Sequence, residues 1–191
     1  MAEIMKLVPI LLKWEAGAAP QATVEAQWAI AKRKGFSNHP NDTGGATMCG
    51  ITIGTYKRYR QSNGKPEPTV NDLKNITLNE WTDILRTYYW DKMRADEIRN
   101  QSVANLCVDN VWGSGTGYIK QIQRVCKVHT DGIVGPKTLA AINNANQREL
   151  FGRLWEHRRV FYLNLTIARP SNKVFLKGWN NRLYDFKFKE G

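Results

Sequence analysis

The first segment of the chain has apolar residues at the three-and-four spacing of one helix face. The stripe consists of Ile4, Leu7, Val8, Leu11 and Leu12. The next position on that face is Glu15, so we expect its carboxylate to lie against the core rather than in open water. The pattern predicts an amphipathic first helix that ends near Glu15.

Further stretches with helical spacing follow along most of the chain. A short helix is predicted from about Thr23, another after Thr52, and the capping-box pattern Thr-Leu-Asn-Glu at 77–80 predicts the start of a third. Later predicted helices cover residues 101–112, 118–127, 137–144, 147–167 and 173–186. Because the chain has no convincing hairpin pattern or repeated strand spacing, we predict a mainly α fold.

Two stretches rich in turn-forming residues divide the helical pattern. Residues 35–47 contain several Gly, Asn, Asp and Pro residues, which predicts a long structured loop of a kind that often carries function. Residues 112–117 are rich in glycine and form the predicted boundary between two lobes. We therefore predict domains at 1–112 and 113–191.

The composition is that of a soluble globular protein with a strong basic excess. Its 191 residues are 42% hydrophobic and 24% charged, which argues against a disordered, fibrous or membrane-spanning protein. The 28 Lys and Arg residues against 17 Asp and Glu give a formal net charge of +11. A positive surface concentrates polyanions, so nucleic acid, an anionic membrane face and an anionic wall polymer are all compatible partners.

Cysteine and histidine contribute little candidate chemistry. The three cysteines, Cys49, Cys107 and Cys126, form no Cys-x-x-Cys pair, and the three histidines are well separated. This pattern indicates neither a disulfide framework nor a zinc site. We expect no metal and no organic cofactor.

Three residues are candidates for acid–base chemistry. A carboxylic acid held against a core, as predicted for Glu15, can stay protonated and donate a proton to a leaving oxygen. Asp42, among glycines and prolines, is suited to stabilise positive charge or position water, and the Thr47 hydroxyl is suited to orient that water. Structural roles are equally open: a solvent-exposed helix-end carboxylate, an Asx-turn and a turn or cap hydroxyl.

These residues resemble a known family. The first helix ends in Leu-Leu-Lys-Trp-Glu, and residues 35–52 contain Gly-Phe-x-x-x-Pro-x-Asp-x-Gly-Gly-Ala-Thr followed by Gly-Ile-Thr. Both segments are similar to glycoside hydrolase family 108, the N-acetylmuramidases of phages and bacteria that include secretion activator proteins. The resemblance implies a lysozyme-like helical fold that hydrolyses the peptidoglycan glycan strand. It makes Glu15 the catalytic acid and places Asp42 and Thr47 in positions comparable to those of phage-type lysozymes.

The chain departs from this family at one point. Residues 16–34 separate Glu15 from Gly35, where the family has its glutamate directly before a Gly-Gly pair. An insertion after the glutamate leaves Glu15 on the first helix and makes the extra helix a flap. An insertion before it makes Lys34 the equivalent residue, which cannot act as the acid. We favour the first placement because the Leu-Leu-Lys-Trp-Glu pattern is retained; Glu25 is a third candidate.

A second motif lies in the C-terminal half. After Gln123 the sequence contains Asp-Gly-x-x-Gly-x-x-Thr, which resembles the core of peptidoglycan-binding modules. The residues of this motif are Asp131, Gly132, Gly135 and Thr138. An Asp-Gly turn followed by a proline suits the start of a new helix, so the motif is partly a structural signature. The resemblance implies a small helical peptidoglycan-binding lobe after the catalytic part.

Three aromatic residues are candidates for sugar stacking. Tyr89, Trp90 and Trp112 are predicted to line a cleft because they fall at helix ends or beside glycines. The alternative is that they belong to the core, which is the commoner place for aromatic residues at helical spacing.

Together these patterns predict a muramidase that cuts the β-1,4 bond between N-acetylmuramic acid and N-acetylglucosamine. Two other classes fit the sequence: a peptidoglycan-binding protein without catalysis, and a basic nucleic-acid binder that uses the Lys and aromatic residues at 177–189. We expect a monomer whose partner is the peptidoglycan glycan strand, with no specific nucleic acid and no membrane insertion.

The N-terminal sequence indicates whether the protein carries an export signal. Glu3 lies where an export signal would be basic, and the apolar run that follows is short and interrupted. We therefore expect no conventional signal peptide, synthesis in the bacterial cytoplasm, and action in the periplasm or cell wall.

Overall fold

The computed structural model of the protein describes residues 1–38 and 45–190. These residues are mainly helical, as predicted, with ten α-helices and one small sheet. They divide into two compact units: residues 7–87, and residues 1–6 together with the chain from residue 88 onward. The sequence predicts a boundary between a catalytic part and a peptidoglycan-binding lobe at residues 112–113. That boundary differs from the division into compact units, and it stays a prediction.

The 7–87 unit has a helical framework around a short sheet. Its described helices are α1 (Val8–Ala16), α2 (Val24–Lys34), α3 (Ile53–Ser62), α4 (Val70–Lys74) and α5 (Leu78–Leu85). The predicted starts near 23, 52 and 77 are confirmed, since Thr23, Thr52 and Thr77 each accept a hydrogen bond from the first turn of a helix. The short helix α4 was not predicted from the pattern.

Helix α1 confirms the predicted apolar stripe. Leu7, Val8, Leu11 and Leu12 are fully buried. Pro9 lies in the first turn, where its missing N–H removes no helical bond, and Gly17 ends the helix in the left-handed conformation at φ +61°. Helix α1 begins at Val8; Ile4–Lys6 form a separate 3₁₀ turn before it.

The sheet is the main element that the sequence did not predict. Strands β1 (Phe36–Ser37), β2 (Thr47–Met48) and β3 (Ile51–Thr52) pair antiparallel in the order β1-β2-β3. Each strand has two residues, too few to produce a recognisable alternation. The β2–β3 turn consists of Cys49 and Gly50, both at positive φ, as in a two-residue primed turn.

The second compact unit contains five described α-helices that continue to the C-terminus. They are α6 (Gln101–Ser114), α7 (Ile119–Val125), α8 (Pro136–Asn144), α9 (Gln147–Ala168) and α10 (Lys173–Asp185). All five were predicted, with ends that differ by a few residues. Helix α6 is the core of this unit, because every residue of Ser102–Val111 is buried.

A buried ion pair joins two helices of this unit. Asp109 on α6 is almost fully buried, and it accepts hydrogen bonds of 2.9 and 2.6 Å from Nε and Nη2 of Arg182 on α10. The basic C-terminal helix is therefore bound to the core helix by a charge as well as by apolar packing. Within residues 1–38 and 45–190, no helix is both long and apolar enough to span a bilayer.

Candidate active site and peptidoglycan-binding motif

Glu15 lies in the last turn of α1, two residues before Gly17, which ends the helix. Its side chain is half-buried, while Leu12, three residues earlier, and Ala16, the next residue, are buried. This is the placement that the apolar stripe predicts: a carboxylate at the margin of the core.

A close backbone approach at Gly35 brings three elements to the same corner. A Cβ added at Gly35 would overlap the Cys49 Sγ atom and would lie 3.0 Å from Ala16 Cβ. The Gly35 carbonyl also accepts a 2.8 Å hydrogen bond from the Cys49 N–H. The end of α1, the start of β1 and the β2–β3 turn therefore meet where only glycine fits.

Cys49 fixes the turn at this corner. Its carbonyl accepts a 2.9 Å hydrogen bond from the buried Trp81 indole, and its thiol donates to the Ala31 carbonyl at 3.6 Å. Burial, and to a smaller extent the Glu15 carboxylate, raises the pKa of the Cys49 thiol to about 12, against a lowering effect of Lys32. The thiol is protonated at neutral pH, so Cys49 is a packing residue and not a nucleophile.

Thr47 lies on β2, two residues before Cys49. It pairs with Ser37 on β1 and Thr52 on β3. The side chain is half-buried, and its hydroxyl donates a long 3.4 Å hydrogen bond to the Gly45 carbonyl. Ala16, the residue after Glu15, and Cys49, two residues after Thr47, both lie against Gly35, so the end of α1 and the β2–β3 turn share one corner of the 7–87 unit. Asp42 lies outside the described residues.

The segment that separates Glu15 from Gly35 forms a packed helix. Gln27 on α2 is buried, and its amide donates 2.8 Å hydrogen bonds to the carbonyls of Pro9 and Ala18. Trp28 is also buried, with its ring centroid 5.9 Å from that of Trp81. Helix α2 is therefore bound to α1 and to the core of the same unit.

The three candidate stacking residues lie in the second compact unit. The rings of Tyr89 and Trp112 contact each other at a centroid distance of 4.7 Å, and both are half-buried. Trp90 is fully buried, and its indole donates a 2.8 Å hydrogen bond to Asp96. The ring faces of Trp90 are covered by protein, so only Tyr89 and Trp112 retain exposed ring surface for a sugar.

The Asp-Gly motif is organised by one buried glutamine. The Gln123 amide donates to Asp131 Oδ1 at 2.7 Å, to the Ile133 carbonyl at 3.0 Å and to Thr138 Oγ1 at 3.3 Å, and it accepts from the Gly132 N–H at 2.8 Å. Gly132 has φ +86°, which requires a glycine.

The motif residues are thus engaged within the protein. The Gln123 amide and the Ile133 N–H hold the pKa of Asp131 below its ordinary value. Gly135 stands just before α8, whose first residue is Pro136. This turn therefore marks the lobe and positions α8, while Asp131 Oδ1, the Gly132 N–H and the Thr138 hydroxyl take part in internal hydrogen bonds.

Replacing Gln123 by leucine is expected to lower the free energy of unfolding by about 1–3 kcal/mol, because the Gly132 N–H and the Ile133 carbonyl lose their hydrogen bonds to Gln123. Urea denaturation measures the change. Gln121→Leu on the same helix is the control, since Gln121 makes no such bonds and should change stability by less than about 0.5 kcal/mol. Equal stability of the two variants would show that the turn does not depend on Gln123.

The residues that hold the corner at Gly35 were not identified from the sequence. Gly35, Cys49 and Trp81 act together only after residues far apart in the chain come into contact. The one local signal is the glycine itself, directly before a two-residue strand.

Comparison with known proteins finds similarity for two consecutive parts of the chain. Residues 26–115 match the family described as Glycosyl hydrolase 108, and residues 118–184 match the one described as Predicted Peptidoglycan domain. The solved structure of Brucella abortus SagA is 28% identical, with a TM-score of 0.71; the alignment covers 96% of this chain and 90% of the SagA chain. A search of curated proteins gives no match. In sequence order, the chain is therefore similar first to the glycosyl hydrolase 108 family and then to the peptidoglycan domain, the two resemblances that its motifs implied.

Proposed function

We propose that the protein is a peptidoglycan hydrolase that cuts the β-1,4 bond between N-acetylmuramic acid and N-acetylglucosamine, with Glu15 as the general acid. The observation that carries the proposal is the close approach at Gly35, which places the end of α1 beside the turn that follows Thr47. The glycosyl hydrolase 108 match and the peptidoglycan domain support the substrate class.

In the proposed reaction, Glu15 transfers its proton to the glycosidic oxygen as the bond between that oxygen and the anomeric carbon breaks. Positive charge develops on the sugar ring, and Asp42 is the second carboxylate that stabilises it or positions water. The Thr47 hydroxyl, held on β2 and bonded only weakly to Gly45, orients the attacking water. Water supplies a hydroxyl group to the anomeric carbon and a proton that restores Glu15.

We propose a separate role for each part of the chain. The catalytic part, proposed as residues 1–112, contains Glu15 and Thr47, and the lobe at 113–191 binds the wall. Tyr89 and Trp112, which contact each other, are proposed to stack on the glycan. The net charge of +11 then draws the protein to the carboxylates and phosphates of wall polymers. We propose the cell wall as the place of action.

A second candidate function is binding of peptidoglycan without hydrolysis. The observation that favours it is the extent of the family match, which begins at residue 26 and so includes Thr47 but not Glu15. In that case Lys34, or another residue without acid function, occupies the family's glutamate position. The two candidates make opposite predictions for the products.

The test is product analysis after incubation with purified peptidoglycan. We expect soluble fragments whose new reducing ends are N-acetylmuramic acid, detected by mass spectrometry after borohydride reduction. Reducing ends of N-acetylglucosamine would show that a different bond is cut. Retention on the insoluble wall with no released fragment would favour the binding protein.

A further inference from the structure

The C-terminal lobe contains a groove lined mainly by aromatic side chains. It lies between the first part of α9 and the chain after α10, and its volume is about 310 Å³. Its lining residues are Phe151, Gly152, Trp155, Tyr184, Phe186, Lys187 and Phe188. This volume is at the lower end for ligand pockets, about 300–1,000 Å³, so the groove suits a single ring better than a large ligand.

The aromatic rings of the groove are held in fixed positions. Trp155 packs edge-on against Tyr184 at a centroid distance of 5.1 Å, and its indole donates a 3.0 Å hydrogen bond to the Leu183 carbonyl. Phe151 and Phe188 contact each other at 5.8 Å. Tyr184 is 53% exposed, so its ring offers free surface that is already oriented by Trp155.

Gly152 gives the groove its open floor. It lies inside the 22-residue helix α9, where glycine costs about 0.5–1 kcal/mol relative to alanine. Internal packing does not require it, because a Cβ added there would meet no atom within 4 Å. A larger side chain at this position would instead occupy part of the groove, which Gly152 lines.

The polar contribution to the groove comes from Lys187. Its ammonium group lies 6.0 Å from the Tyr184 ring centroid on an exposed side chain. The nearby Arg148 is paired with Glu190 at 2.7 Å, so Lys187 is the lining residue that offers a cation to a ligand. Aromatic surface beside a hydrogen-bond donor suits a ring with apolar C–H faces and polar edges, which is the chemistry of a pyranose.

We propose that this groove is a saccharide subsite that binds an N-acetylated amino sugar of the glycan strand. The inference rests on the proposed function for its substrate class. It assigns glycan contacts to a part of the lobe distinct from the Asp-Gly turn, whose polar atoms Gln123 already engages. The sugar ring lies over Gly152 against Tyr184 and Trp155, and Lys187 donates to its hydroxyl or carbonyl oxygens.

The experiment follows the Trp155 indole N–H by NMR while chitotetraose is added to the full-length protein. We expect this signal, assigned with a Trp155→Phe variant, to shift in the wild type and to stay unchanged in Gly152→Leu, whose side chain fills the floor. Gly178→Leu on α10 is the matched control, because Gly178 is also an open helical glycine but lies outside the groove. It should respond as the wild type does.

A second pair of variants removes ring surface instead of filling space. Tyr184→Ala should weaken chitotetraose binding at this site about tenfold, whereas Phe175→Ala, which removes a ring 54% exposed on the same helix, should leave it unchanged. An unshifted Trp155 signal in the wild type would overturn the proposal, as would a shift caused by free stem peptide but not by the sugar. If the wild-type protein shows the Trp155 shift but does not hydrolyse the wall, the proposed activity is refuted and the groove proposal is not.

Discussion

Glu15→Gln is expected to lower the rate of peptidoglycan hydrolysis by about 10²- to 10⁴-fold, the usual contribution of a general acid. Glutamine keeps the size and shape of the side chain at the end of α1 but has no proton to transfer to the leaving oxygen. Release of reducing sugar from purified wall measures the effect. Binding to the insoluble wall should be unchanged, since the variant alters proton donation and not the lobe.

Glu25→Gln is the matched control for this variant. Glu25 undergoes the same chemical change on the helix of the separating segment, where it is exposed in the first turn of α2. We expect full activity, because an exposed side chain in that turn has no role in the proposed site. Loss of activity in Glu25→Gln together with retention in Glu15→Gln would transfer the acid role to the separating segment.

The helices could be predicted from the sequence because their signals are local. The stripe that ends at Glu15 and the capping threonines at 23, 52 and 77 depend on spacing within a few residues, and all of them correspond to helices. Helix α4 is only five residues long and contains one buried residue, Leu73, so it has no periodicity to detect. The two-residue strands are invisible for the same reason.

The candidate site could be predicted only in part. The stripe places Glu15 at the margin of the core, and the family motif singles out Thr47. The corner between the end of α1 and the β2–β3 turn depends on Gly35 meeting both Ala16 and Cys49. No local pattern specifies such a long-range contact. The burial of Trp90 is likewise a tertiary result, because its sequence neighbours Tyr89 and Asp91 are not fully buried.

The Asp-Gly motif shows a different limit of sequence reasoning. Its residue types fit either a ligand site or a turn, and the sequence alone left both roles in place. The buried Gln123 favours the turn, since it bonds to Asp131, Gly132 and Thr138 at once. A motif of this kind locates the module, and the ligand contacts must be sought in the surface around it.

Arg182→Ala is expected to lower the free energy of unfolding by about 3–5 kcal/mol, because it leaves the carboxylate of Asp109 buried without its charged partner. Asp109 is only 2% exposed on the core helix α6, and Arg182 forms its two hydrogen bonds from α10. The substitution should therefore destabilise the fold as a whole, and urea denaturation should show a lower midpoint. Arg182→Lys should retain part of the stability, since it keeps the charge but not the two-nitrogen contact.

The exposed pair Arg159–Glu156 provides the control for the buried one. Arg159 also donates two hydrogen bonds to a carboxylate, at 2.8 and 2.6 Å, but Glu156 is about half exposed. Water solvates both charges when they separate, so Arg159→Ala should cost no more than about 1 kcal/mol. Both substitutions replace arginine by alanine, so the difference between their losses of unfolding free energy measures the effect of burying the carboxylate. Similar losses in both variants would contradict the role of Asp109 as a buried charge that depends on Arg182.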